Sequence, residues 1–273
     1  GTVENSSYQR YTGRANVEYQ AKKWLKLTTN MGFTHTDSET PSFDVGTWGS
    51  SGNVFYICNM IAPIYPLYKR NADGSIKTEN GRKMYTTNNG SFVGNAVRDN
   101  HFDRDHTYQD VFTGQWSAIV TPVEGLNLTA NLSATSINSR RNSLASVFGG
   151  GSGENDGSAY VSSTRYFPVN QQYLATYTHT FGKHNMNLLA GYEQYKFKKQ
   201  GLSGKNNHLF DPYIGELGNA YGTSQKETSS FTDNYMTEGF FGRAQYDFDG
   251  KYFASASIRR DASSVFAPGH RWG

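Results

Sequence analysis

At 273 residues the chain has room for one or two domains. Its mean hydropathy of −0.68, with no apolar run near the roughly 18 residues of a membrane helix, excludes a helical crossing of a bilayer. A net charge of +3 spread along the chain gives no footing for nucleic acid, and a single cysteine, Cys58, excludes an intrachain disulfide or a cysteine zinc site. The 29 Gly, 19 Tyr and 17 Phe against 7 Pro are a β-rich, turn-rich bias.

Taken in order, the chain alternates apolar and polar residues with the period of two that a strand requires. Tyr11, Gly13, Ala15, Val17, Tyr19 and Ala21 form one face of a first strand, and Lys22-Lys23 turns the chain. Leu25, Leu27, Thr29, Met31 and Phe33 form the apolar side of a second. A polar segment rich in Gly, Asn, Ser and Asp spans about Thr36 to His106. Phe112, Gly114, Trp116, Ala118 and Val120 then pair with Leu126, Leu128, Ala130, Leu132 and Ala134 across the turn Pro122–Gly125.

A glycine-rich loop, Gly149 to Gly157, precedes a strand with Tyr173, Ala175, Tyr177 and Phe181. Gly182–Asn185 closes its hairpin with Met186, Leu188, Ala190 and Tyr192. A loop from about Gly201 to Asp233 leads to the last hairpin, Phe240 to Phe248 and Tyr252 to Ile258 about Asp249-Gly250, a two-residue turn signal.

The pattern predicts an all-β chain of about eight strands in four antiparallel hairpins. Short turns fall on one side and long loops on the other, which is the sorting of an outer-membrane barrel. Apolar faces would meet lipid and the Asn, Thr, Ser, Gln and Arg faces a wet lumen. The sequence opens at Gly1 among polar residues with no hydrophobic leader, which reads as a fragment or a processed chain.

Three stretches carry a resemblance. Met60-Ile61-Ala62-Pro63-Ile64-Tyr65-Pro66-Leu67-Tyr68 with Arg70-Asn71-Ala72-Asp73-Gly74, Phe181–Asn185 leading into Leu189–Glu193, and Ser255–Ser264 with Arg271-Trp272-Gly273 occur in this order. Together they resemble the SusC/RagA-type TonB-dependent transporters of Bacteroidetes outer membranes. The chain departs from that pattern at Val54, Ala262 and Val265, where proline, glycine and arginine are usual.

The resemblance implies that residues 1–273 are an internal portion of a single multi-pass barrel of about 22 strands, with no plug segment among them. It implies uptake of glycan oligomers or peptides beneath a SusD-type surface lipoprotein, energised by the TonB complex through the plug. It implies no cofactor and no enzymatic activity.

Candidate contacts for cargo or the lipoprotein are Phe55, Tyr56, Tyr65 and Tyr68, aromatic residues of the first long loop. The plainer reading is that they pack the loop against itself or the barrel mouth. His101, Asp103, Asp105, His106 and Asp110 have oxygen and imidazole donors, but lack the glycine and terminal glutamate of a calcium loop. Gly150–Asn155 departs from the calcium-binding β-helix repeat at Asn155 and occurs once. Arg140-Arg141, Arg259-Arg260 and Lys196–Lys199 are candidates for lipopolysaccharide phosphates, against ordinary solvated charge. No nucleophile elbow, paired-histidine metal motif or phosphate loop is present.

Two other classes fit part of the pattern. A soluble or surface-exposed β-sandwich, acting as an adhesin or glycan-binding module, predicts a dry core between two sheets. A small outer-membrane barrel lipase requires a serine and a histidine that meet on the lipid-facing rim.

Overall fold

A computed structural model describes residues 3–40, 59, 62–86, 95–149, 156–222 and 227–273. Nine strands form one antiparallel sheet, in the order β1 (Ser7–Lys22), β2 (Leu25–Thr40), β5 (Arg104–Val123), β6 (Leu126–Ala145), then β7 (Ser158–Tyr166) with β8 (Val169–Phe181), β9 (His184–Asn207), β10 (Glu227–Phe248) and β11 (Tyr252–Ser263). A two-residue hairpin, β3 (Thr78–Glu79) and β4 (Arg82–Lys83), and a short helix, α1 (Ala96–Phe102), lie in the first long loop.

The expected eight positions are present, but two strands share one of them. β7 pairs with the far half of β6 and β9, and β8 with the near half. The break falls at Phe167-Pro168, because proline has no N–H to donate to the ladder. The lane still runs through it. Phe167 N donates to Lys198 O at 2.8 Å, and Thr135 N donates to Pro168 O at 3.1 Å.

Strands are longer than the alternation foretold. β2 reaches Thr40 and β5 begins at Arg104, so the first long loop is shorter at both ends than Thr36–His106. β9 runs to Asn207 and β10 starts at Glu227, inside the segment expected to be loop. The β1–β2, β5–β6, β8–β9 and β10–β11 turns all lie at one end, and the long connections at the other. Asp249 and Gly250, with φ of 55° and 66°, have the two left-handed residues of a type I′ turn.

Register sorts the side chains into two faces. Tyr19, Leu27, Ala118, Ala130, Tyr173, Tyr192 and Phe240 form one row across the sheet. Leu25, Val120, Leu128, Ala175, Ala190, Gly242 and Ile258 form the next. On the opposite face Thr28, Ser117, Asn131, Gln172 and Glu193 lie in register.

No second layer covers either face among the described residues. The buried apolar residues are Leu144, Ala159, Leu209 and Ala262, and three of them form one small cluster at the long-loop end. The chain exposes 17779 Å² at 30.4 kDa, where a compact water-soluble chain of that mass exposes roughly 12,000 Å². A sandwich buries its apolar faces in a dry core. This sheet leaves Tyr173, Phe240 and Ile258 exposed.

Candidate functional site

The apolar face is a band with two aromatic borders. Near the short turns, Tyr177, His179, Phe181, His184 and Phe248 follow one another with ring centroids 4.9 to 5.9 Å apart. Farther up, Tyr173, Tyr192, Phe240 and Trp272 form a second row at 6.4, 4.9 and 5.9 Å. Three strands set the same interval between the borders: Tyr173 to Phe181, His184 to Tyr192 and Phe240 to Phe248 are each eight residues apart. Eight rises span roughly 26 Å along the strand. Counted inclusively, the stretch matches the roughly 9–11 residues with which a tilted strand crosses a bilayer. Between the borders the face holds Ala175, Met186, Leu188, Ala190, Gly242 and Ala244, with Tyr246 against His184 of the lower border.

The other face is mostly polar and bonded to itself, with Ile119, Leu174, Leu189, Phe241 and Phe253 interspersed. Ser117 Oγ donates to Asn131 Oδ1 at 2.7 Å, and Asn131 Nδ2 to Gln172 Oε1 at 3.0 Å. Asn185 Nδ2 donates to Asp247 Oδ1 at 2.7 Å. Lys26 pairs with Glu18 at 2.7 Å and Arg259 with Asp261 at 2.9 Å. Such a surface is suited to water and polar solutes.

At the long-loop end the loops meet. The ring of Tyr68 lies 4.9 Å from Tyr85, Tyr85 6.0 Å from Phe102, Phe102 5.5 Å from Phe148, and Phe148 6.0 Å from Tyr213. The Arg82 guanidinium sits 4.4 Å above the Phe148 ring and Lys83 Nζ 5.3 Å above Tyr68, a cation–π arrangement. Buried Asn95 caps α1 by accepting from Arg98 N at 3.1 Å, and its amide donates to Leu67 O and Thr86 O at 3.1 and 3.0 Å. One side chain thereby ties the helix to both arms of the Tyr68–Tyr85 bridge.

Of the aromatic candidates, Tyr65 is exposed, and Tyr68 is half-buried within the aromatic chain. Phe55 and Tyr56 lie outside the described residues, as do Cys58 and Gly150–Asn155. The His/Asp cluster is not brought together. His101 contacts Glu4 at 2.8 Å, His106 contacts Asp37 at 2.5 Å, and Asp110 contacts His35 at 2.7 Å. Asp105 pairs with Arg141, and Asp103 accepts from Ser146 N at 2.7 Å. Burial pushes the Asp103 carboxyl up to about 7; the Asp99 carboxylate adds to this, while the Ser146 N–H and Arg98 oppose it. Phe102, Phe148, Tyr213 and Arg82 carry no signal in the sequence, since they are far apart and share no pattern.

No family model matches the chain. TonB-dependent receptor P3 of Formosa agariphila is 25% identical over 277 residues, spanning 100% of this chain and 26% of that protein. TonB-dependent receptor P26 of the same organism is 24% identical over 284 residues, 100% of this chain and 26% of its own length. The chain is a relative of the TonB-dependent receptors. It spans about a quarter of the length of those it matches. Among solved structures, the RagAB peptide transporter aligns with a TM-score of 0.75 and 18% identity over 98% of this chain and 29% of that one. The RagAB peptide importer in its 'open-open' state gives 0.76 at 18% identity, with the same coverage. The sheet thus has the fold of a portion of that β-barrel.

Proposed function

We propose that the chain is a wall section of an outer-membrane importer for glycan oligomers or peptides. The observation that carries this reading is the apolar band with aromatic borders eight residues apart, backed by a mostly polar face. Lipid covers the first, and the second lines the import lumen. The long loops face outward, beneath a SusD-type surface lipoprotein, and the TonB complex supplies the energy through a plug. Lipopolysaccharide surrounds the outer border.

Selection on this reading is physical, and no bond is made or broken. Tyr65, with Phe55 and Tyr56 of the same loop, meets cargo or the lipoprotein by stacking or apolar contact. Tyr68 contributes by fixing the shape of that loop.

The test uses the full-length receptor in its own bacterium. It should fractionate with the outer membrane, migrate in a heat-modifiable form, and support growth on its cargo only when the tonB and lipoprotein genes are intact. Recovery in the soluble fraction would sink the proposal.

A further inference from the structure

Just above the Tyr173–Tyr192–Phe240 border, on the same face, stand Lys196 and Lys198 of β9 and Arg165 of β7, while Arg260 of β11 lies on the border itself, in register with Phe240 and 5.2 Å over the Trp272 ring. Lys196 and Lys198 share the face of Tyr192 by strand parity. Arg165 is in register with Gln200, two residues beyond Lys198, so it is the diagonal neighbour of Lys198 at roughly 7–8 Å between Cα atoms. All three side chains are exposed. Arg165 lies 5.6 Å over the ring of Phe167.

Other cations above the border on this side are matched by carboxylates. Arg104 pairs with Glu39 at 2.7 Å and Arg140 with Glu216 at 2.9 Å, while His35 and His106 face Asp110 and Asp37. Among the described residues no ion pair forms at Lys196, Lys198 or Arg165. The nearby carboxylate on this face, Glu238, is in register with Gln194 and accepts from the Tyr192 hydroxyl at 3.1 Å. With Arg260, four cations against one carboxylate leave a net +3 patch. The rest of the basic run divides: Lys199 turns to the opposite face, 5.5 Å over Phe231.

We propose that Lys196, Lys198 and Arg165 form a binding site for the phosphate of an outer-leaflet glycolipid, the phosphorylated base of lipopolysaccharide. The site rests on the membrane reading above, since that reading places these residues at headgroup height. Cations beside an anionic leaflet attract it at about 1 kcal/mol each. Exposed Lys ammoniums and the forked Arg guanidinium are suited to phosphate oxygens. The aromatic border immediately below receives the sugar and acyl boundary of the same lipid.

The test titrates the full-length receptor, purified in mild detergent, with the phosphorylated glycolipid and with its enzymatically dephosphorylated form. Bound lipid is counted by native mass spectrometry. The wild type should bind the phosphorylated form about tenfold more tightly or better. The triple variant K196Q/K198Q/R165Q should bind both forms as weakly as the wild type binds the dephosphorylated one, and K196R/K198R should keep the preference. Heat-modifiable migration shows whether each variant is folded, and single K196Q and K198Q variants, each expected to lower the preference, replace a triple variant that does not fold. Equal binding of both lipids by the wild type, or equal binding by wild type and variant, would overturn the site. So would full competition by inorganic phosphate at concentrations equal to the lipid. If the receptor lies in the outer membrane and binding is nevertheless unchanged, this site fails and the membrane reading stands. If it is recovered elsewhere, the membrane reading has failed first.

Discussion

At the scale of single residues, Asp103 shows how the loops are held. Its carboxylate accepts the Ser146 N–H at the point where two long connections meet, and Gly149 packs so close that an added Cβ would collide with it. Burial raises its pKa to about 7 from an ordinary 3.8, so folding favours the protonated form. The sign follows from linkage. Below pH 4 the acid is neutral both docked and undocked, and its titration adds nothing. From pH 4 to 7 the undocked carboxyl ionises while the docked one resists, and docking weakens until the loss is complete above about 7. Hydrogen exchange at the Ser146 amide of the full-length receptor should therefore be faster at pH 8 than at pH 5, beyond the intrinsic rate difference. Asp103→Asn keeps an acceptor and loses the charge, so its protection should be level across that range. An equal slope in both proteins would assign the effect to another group.

At the scale of elements, the two faces of one strand make opposite demands. Leu188 stands midway between the borders at His184 and Tyr192, in register with Tyr177 and Ala244 on the apolar face. Asn187, the next residue, donates to Thr178 Oγ1 at 2.9 Å on the polar face. Leu188→Arg should cost about 2–4 kcal/mol of barrel stability, as a cation at the bilayer midplane does. Asn187→Arg should cost under about 1 kcal/mol, since a wet lumen solvates it. Urea unfolding of the full-length receptor in vesicles checks both, and equal costs would mean that the apolar face does not meet lipid. The same contrast explains what the sequence revealed. Alternation is strong from Tyr173 to Phe181 and from Phe240 to Phe248, where on the proposed reading one side meets an apolar medium. It fades in Ser158-Ala159-Tyr160-Val161-Ser162-Ser163-Thr164-Arg165, which β7 carries beyond the border into water and loop contacts on both faces. The ends of β9 and β10, past Gly201 and before Asp233, have a loop-like sequence for the same reason. Tyr68 could be singled out as a loop aromatic, but its partners Tyr85, Phe102 and Phe148 are joined to it only by tertiary folding.

At the scale of the whole molecule, the sheet is open. β1 and β11 are its two edges, each pairing on one side only among the described residues, and each is exposed along nearly its whole length. A long, flat edge with free N–H and C=O groups recruits other strands, and in hydrocarbon each unpaired group would cost several kcal/mol. Barrel closure removes both liabilities, and on the proposed reading further strands of a longer receptor, such as the relatives of about four times this length, would provide it. Residues 1–273 produced alone should therefore not behave as a folded unit. In water the exposed edges and the bare apolar band should drive aggregation, and in detergent the chain should give no heat-modifiable band, whereas the full-length receptor should give one. Sedimentation and gel migration of the two proteins side by side decide the matter. A monodisperse, detergent-free chain with a cooperative melt would show that the apolar face finds cover within these residues. That result would favour the soluble sandwich over a barrel wall.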